Sequence, residues 1–350
     1  MVKAFAIFSI VFLLNSCSSI KTIKSKEHRR LSNGSVHPDQ VDLNINENNT
    51  NPNDKGVELL PPEETIRIGE HGGDVYSSDE AKEESQHAES KKLRIGLSLG
   101  PGIYRTINYV SFLKIMERQN LSPDIITGTE FGAIVAAMYA TGMTPEVIEW
   151  NFYKYFKEKK KNKPYEKDWL DEVDEKLLIK FKNVNIQDTK KKFFITLNDH
   201  RDNKTYYFDK GNIRDLLLLN LKLSNSASGS QKSAKYSAAF EKEVFNARLL
   251  RQVGAEFTMA ADVLGNKFEF ENSNEYLTGI YGRVSGRIQR EIKSFDYYVT
   301  LSPSSTQIDS TKEGSLFMQK SYEFMQKQVP TILKKMQAKI ENLSNSGNDK

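Results

Sequence analysis

The sequence predicts an α/β fold, a three-layer domain with a central, mostly parallel sheet between helices, followed by a C-terminal helical segment. Three observations predict it. The run from Leu93 to Leu99 is apolar enough for a buried strand and ends in a glycine-rich loop. A second short run, Asp124-Ile125-Ile126-Thr127, feeds another glycine-flanked turn. A pattern of helical period follows each turn, and strands separated by helices pair in parallel.

The elements follow in order. After the first strand comes Gly100-Pro101-Gly102-Ile103-Tyr104-Arg105-Thr106, then a helix from about Ile107 to Gln119 with Val110, Phe112, Leu113 and Met116 on its apolar side. The second strand enters Gly128-Thr129-Glu130-Phe131-Gly132, and a helix runs from Ala133 to Thr141, closed by Gly142. Thr144 as N-cap and Pro145 at the first helical position open another helix. Between Phe193 and Leu219 the pattern predicts two short strands about the Asp199–Asn203 turn, then a helix led by Gly211-Asn212. Asp296 to Leu301 reads as a late strand. Met318, Tyr322, Met325, Val329, Ile332, Met336, Ile340 and Leu343 form an amphipathic stripe interrupted by Pro330, expected to pack on the core as a closing pair of helices.

Gly128 to Gly132 has the frame of a nucleophile elbow, G-x-S-x-G, with Glu130 in place of serine. An elbow is a sharp strand-to-helix turn, and its flanking glycines allow close backbone approach.

On these residues the chain resembles the patatin-like phospholipases over about 92–303. Four blocks carry the resemblance: the loop Gly100 to Thr106, the elbow strand and helix from Asp124 to Ala140, the hairpin and helix from Phe193 to Leu219, and Tyr276-Leu277-Thr278-Gly279-Ile280. The resemblance implies a Ser-Asp dyad whose oxyanion is held by N–H groups of the glycine loop. Here Glu130 stands at the nucleophile position and Thr278 at the aspartate position. Pro101 carries no N–H, and Ile103 and Thr106 stand where the family has glycine, while Gly100, Gly102, Arg105, Gly128 and Gly132 are kept. The implied function is a pseudoenzyme that binds a lipid, an acyl group or a protein partner without ester hydrolysis. The alternative is an acyl-ester hydrolase with altered chemistry. Glu130 is expected either to pair with Arg105 or to accept from loop N–H groups at a helix N-terminus, with a ligand-binding role as second choice.

Composition narrows the chemistry. Five histidines occur, and only His200 falls in the predicted domain, so a Ser-His-Asp triad or histidine metal site has little material. Cys17 is the single cysteine, which leaves no intrachain disulfide and no thiolate metal site. No cofactor and no metal is expected. Residues 18–90 carry 8 basic and 15 acidic side chains, residues 91–350 carry 41 and 31. This divides the chain into an acidic tether and a basic domain.

The first 16 residues resemble a bacterial export signal: Lys3, then an apolar stretch from Ala4 to Leu14, too short to span a bilayer. Leu14-Asn15-Ser16-Cys17 resembles a lipobox, which implies cleavage before Cys17, lipid on that residue and membrane anchoring through it. Ser18 resembles outer-membrane sorting, so the expected location is the bacterial cell envelope. Residues 17–91 read as a lipid-anchored disordered tether, with an end-to-end distance of about 45 Å as a flexible coil. Its Lys21, Lys24, Lys26, Arg29 and Arg30 suit anionic headgroups or form a solvated run. The domain is expected over 92–305, the C-terminal helices over 306–343 and a tail over 344–350.

Other features read as structural. Lys157, Lys159, Lys160, Lys161 and Lys163 form a solvated run with no base-stacking motif, so no nucleic-acid partner is expected. Ser224 to Lys235 reads as a surface loop. Trp150 and Trp169 read as packing or lid residues.

Overall fold

The computed structural model describes residues 59–60, 92–199, 201–224, 235–265, 268–270, 274–301, 307–311 and 314–347. The signal peptide, Cys17, the basic run at 21–30, His200 and most of the Ser224–Lys235 loop lie outside these residues. The strands are β1 (Leu59–Leu60), β2 (Ile95–Leu99), β3 (Ile125–Gly128), β4 (Lys192–Asp199), β5 (Lys204–Phe208), β6 (Tyr236–Ala238), β7 (Phe257–Asp262) and β8 (Tyr297–Thr300). The α-helices are α1 (Asn108–Arg118), α2 (Phe131–Ala140), α3 (Pro145–Glu158), α4 (Lys167–Val173), α5 (Ile213–Asn220), α6 (Ala247–Gln252), α7 (Glu275–Glu291) and α8 (Gly314–Gly347).

The sheet order is β1-β5-β4-β3-β2-β7-β8, with β6 pairing β4. The centre, from β4 through β3, β2 and β7 to β8, is parallel. The hairpin β4–β5 and the additions β1 and β6 are antiparallel. Strands β2, β3 and β7 are buried along their whole length, as a parallel sheet covered on both faces requires. Continuous apolar character is what made β2 and β3 legible, whereas β7 was not among the predicted strands. Helix α2 is buried throughout, and its Ala-rich surface lets it lie close to the sheet.

The chain leaves β2 for β3 and β4 on one side and returns later to β7 and β8 on the other. The loop after β2 and the elbow after β3 therefore sit side by side at a topological switch point, the place where open α/β sheets form their clefts.

Two expectations need correction. Two residues of the stretch read as tether, Leu59–Leu60, form an edge strand paired with Phe208 and Tyr207 of β5. The C-terminal stripe is one continuous helix, α8, rather than a pair, and it reaches Gly347 inside the stretch read as tail. Pro330 lies within it on the exposed side, where the carbonyl that loses its hydrogen bond can be hydrated. The stripe itself docks as expected: Met325 and Ile332 are fully buried and Ser321 donates to the Leu301 carbonyl at 2.9 Å. Tyr276 to Ile280, for which the sequence predicted no element, lies at the start of α7. Asn274 caps it by accepting the Leu277 N–H at 3.0 Å.

Candidate functional site

The elbow has the backbone its spacing predicts. Glu130 joins β3 to α2 with φ 55° and ψ −131°, a strained conformation for a residue with a side chain. A Cβ on Gly128 would lie 2.6 Å from the Gly132 carbonyl carbon, and one on Gly132 would lie 2.3 Å from the Gly100 oxygen. Both glycines are therefore required by the turn. The Thr129 N–H fastens it to the Leu99 carbonyl at 3.0 Å, and the Gly100 N–H fastens the neighbouring loop to the Ala261 carbonyl of β7 at 3.0 Å.

Glu130 is completely buried. Its Oε2 accepts from the N–H groups of both Gly102 and Ile103 at 2.9 Å. Its Oε1 accepts from the Tyr165 hydroxyl at 3.2 Å, and its backbone carbonyl from the Asn220 side-chain amide at 3.0 Å. Burial pushes the carboxyl pKa up. The N–H groups of Gly102, Phe131 and Ile103 and the Tyr165 hydroxyl oppose that rise. Of the two expected settings for Glu130, the structure adopts the loop N–H groups. Arg105 turns the other way, donating to the Val263 and Leu264 carbonyls at 3.3 and 3.2 Å. Burial pulls its guanidinium pKa down to about 10, against the charges of Asp262 and Glu269.

The missing Pro101 N–H has no bearing on this contact, because the donors are the next two residues. Ile103 supplies one of them at φ 44°, a left-handed conformation that a β-branched side chain rarely adopts. The strain agrees with the expectation that glycine suits this position.

An ester carbonyl approaching these donors would have to displace Oε2, and aromatic side chains close the approach. Tyr165 lies beside Trp169 with ring centroids 5.2 Å apart, and Trp169 lies 5.5 Å from Phe131. The Trp169 indole donates to the Tyr104 hydroxyl at 2.8 Å. The segment carrying Tyr165 is pinned by Glu172, which accepts from the Lys160 N–H and the Asn162 amide at 2.7 Å each. The lysine run is solvated as expected at Lys157, Lys160, Lys161 and Lys163, while Lys159 lies 4.9 Å from the Tyr104 ring and the backbone forms an ordered strap.

Thr278 is not at the site. Once Asn274 starts α7, the helical period buries Leu277, Ile280, Tyr281, Val284 and Ile288 and leaves Thr278 exposed. Tyr281 is the residue of α7 that reaches the elbow, with its hydroxyl 2.5 Å from that of Tyr165. A second G-x-S-x-G spacing, Gly96 to Gly100, escaped the sequence reading. Its Ser98 lies inside β2, fully buried, and accepts the Asn246 N–H at 3.3 Å, so it occupies a strand and not an elbow. Tyr165, Asn220 and Tyr281 were also missed. Only Tyr281 left a signal, its place in the apolar stripe of α7. Of the two tryptophans, Trp169 is fully buried against Phe131 and Tyr165, packing as expected, whereas Trp150 is 63% exposed and stacks on Tyr153 at the surface.

Among the described residues, no group of three His, Cys, Asp or Glu side chains converges as a metal site, and no helix is long and apolar enough to cross a membrane.

A family model described as Patatin-like phospholipase matches residues 97–274, just over half of the chain. No curated protein matches the chain. Among solved structures, the chain is similar to VipD from Legionella pneumophila at 10% identity and a TM-score of 0.39, with 69% of this chain and 67% of that chain covered. It is also similar to the heterodimeric complex ExoU-SpcU from the type III secretion system of Pseudomonas aeruginosa, at 12% identity and a TM-score of 0.35, covering 71% of this chain and 52% of that chain. It thus spans about half the length of the latter.

Proposed function

The chain belongs to the patatin-like phospholipase family, and from that premise we propose that it is a non-hydrolytic member, anchored to the bacterial envelope through Cys17, that binds a lipid or protein partner. The observation that carries this reading is the Glu130 carboxylate oxygen lying 2.9 Å from the N–H groups of both Gly102 and Ile103. Acyl transfer needs those donors open where negative charge develops in the transition state. A resident carboxyl oxygen already occupies them, so an oxyanion would have to displace it. The aromatic closure by Tyr165 and Trp169 argues further that binding falls to the outer surface rather than to the cleft. The alternative, an acyl-ester hydrolase using Glu130 itself, would have to open this contact first.

An esterase assay on the purified protein with short and long acyl esters, alongside Glu130→Ala, tests the reading. Neither protein is expected to exceed buffer hydrolysis. Turnover by the natural chain that disappears in Glu130→Ala would overturn the proposal in favour of the hydrolase. Mass spectrometry of the N-terminal peptide from membranes tests the anchor, which predicts acylated Cys17 as the first residue.

A further inference from the structure

Helix α3 buries Ile148, Phe152 and Tyr155 and turns the opposite stripe outward. Val147, Trp150, Tyr153, Lys154 and Lys157 recur there at intervals of three and four, so they share one face. Trp150 is 63% exposed, Tyr153 56% and Val147 47%. The two rings stack, with centroids 5.7 Å apart and planes at 24°, and form a flat aromatic platform. A stacked Trp–Tyr pair left in water marks an interaction surface more than a packing accident.

Lysines adjoin the platform toward the C-terminal end of α3. The acidic residues of α3 lie beside lysines of other segments: Glu149 and Glu146 lie 2.5 and 4.0 Å from Lys114, and Glu158 lies 3.2 Å from Lys176. Lys154 and Lys157 have no carboxylate partner among the described residues. Across from Lys154 lies Lys180, whose ammonium pKa is pulled down to about 8 by burial and by the Lys154 charge. Ile179, next to Lys180, is 48% exposed. Adjacent like charges without an internal anion call for an external one.

We propose that this face of α3 docks on a bilayer surface containing anionic phospholipid, with Trp150 and Tyr153 at headgroup level and Lys154, Lys157 and Lys180 against lipid phosphates. Amphipathic Trp and Tyr rings favour the membrane–water interface, and lysines beside them add attraction to anionic lipid. A protein partner would also welcome the aromatic pair, but the cores of protein interfaces are depleted in lysine, and here lysines adjoin the platform. The inference names a surface and its occupant, which the reading above does not, and it stands whatever the esterase assay finds.

The test uses the full chain with Cys17→Ser in every arm, so that no acyl anchor contributes. Co-sedimentation is compared between vesicles of phosphatidylcholine alone and vesicles that also contain phosphatidylglycerol. The chain has two tryptophans. Trp169 is fully buried, so a blue shift of tryptophan emission on adding vesicles reports Trp150. The expected result is salt-sensitive partitioning to the anionic vesicles with that blue shift. Trp150→Ala with Tyr153→Ala, and separately Lys154→Glu with Lys157→Glu, should each weaken partitioning by about tenfold or more. The basic run at 21–30 is common to all arms, so only differences between them count. Both double variants change exposed side chains, and circular dichroism checks their fold. Unchanged partitioning of either variant, or partitioning without a blue shift, would overturn the proposal. So would failure to bind any vesicle, which would leave the face to a protein partner.

Discussion

The Tyr165 hydroxyl donates to Glu130 Oε1 at 3.2 Å and lies 2.5 Å from the Tyr281 hydroxyl. Three residues from the strap, the elbow and α7 thus form one buried chain of polar groups. Tyr165 holds its place at φ 69°, so the contact is made against backbone strain.

Removing one hydroxyl tests that chain. Tyr165→Phe leaves Glu130 Oε1 and the Tyr281 hydroxyl without their shared partner in a buried setting. The expected loss is about 1–2 kcal/mol of unfolding free energy, read from the denaturant midpoint. An unchanged midpoint would mean that the Tyr165 hydroxyl contributes nothing to closure of the site.

The carboxylate itself is expected to be structural. Glu130→Ala strands two buried N–H donors, at Gly102 and Ile103, and should cost about 2–4 kcal/mol. Glu130→Gln keeps one acceptor oxygen for them and should cost less than half as much. Equal losses for the two variants would show that the acceptor role is not what holds the loop.

The elbow glycines and a surface glycine should respond in opposite directions. Gly132→Ala puts a methyl 2.3 Å from the Gly100 oxygen, backbone that cannot step aside, and should destabilise by about 3 kcal/mol or more. Gly282→Ala, in the exposed face of α7 with nothing within 4 Å of its added Cβ, should stabilise by about 0.5–1 kcal/mol. Thermal melts of the pair check the contrast, and a tolerated Gly132→Ala would contradict the close packing of loop on elbow.

Stability should depend on pH through Glu291. Its carboxylate accepts the Val244 and Phe245 N–H groups at 3.0 and 2.7 Å, yet burial raises its pKa to about 7, with the Glu243 charge adding to the rise. The folded protein therefore holds this proton more tightly than the unfolded chain, whose value is near 4.5. The resulting stabilisation is complete below about 4.5 and is lost as pH rises through about 7. Glu291→Gln removes the titration while keeping an acceptor. Between those pH values the natural chain should lose about 1–2 kcal/mol relative to the variant, allowing for solvent screening. A pH-independent difference in unfolding midpoints would exclude this assignment.

Much of this protein was legible in local pattern. Continuous apolar runs marked β2 and β3, Thr144-Pro145 and Asn212 marked helix starts, and the glycine spacing at 128 and 132 marked the elbow. Each of these signals lies within a few residues of what it specifies, because strand burial, capping and steric clearance are short-range properties of a chain.

What the elbow holds was decided only in three dimensions. Glu130 was visible as a replacement for serine, but its partners were not. Gly102 lies 28 residues before it, Tyr165 35 after it and Asn220 90 after it, and no spacing rule joins them. The same limit explains the misplaced Thr278. A five-residue likeness put it at the site, whereas the cap at Asn274 and the 3.6-residue period of α7 turned Tyr281 inward instead. The sequence by itself determined the α/β frame and the loss of the serine. Only the packing of strap, loop and α7 around the elbow decided that a buried carboxylate, satisfied by backbone N–H groups, takes the serine's place, since contacts of that range are created by the folded sheet and are absent from any local stretch of chain.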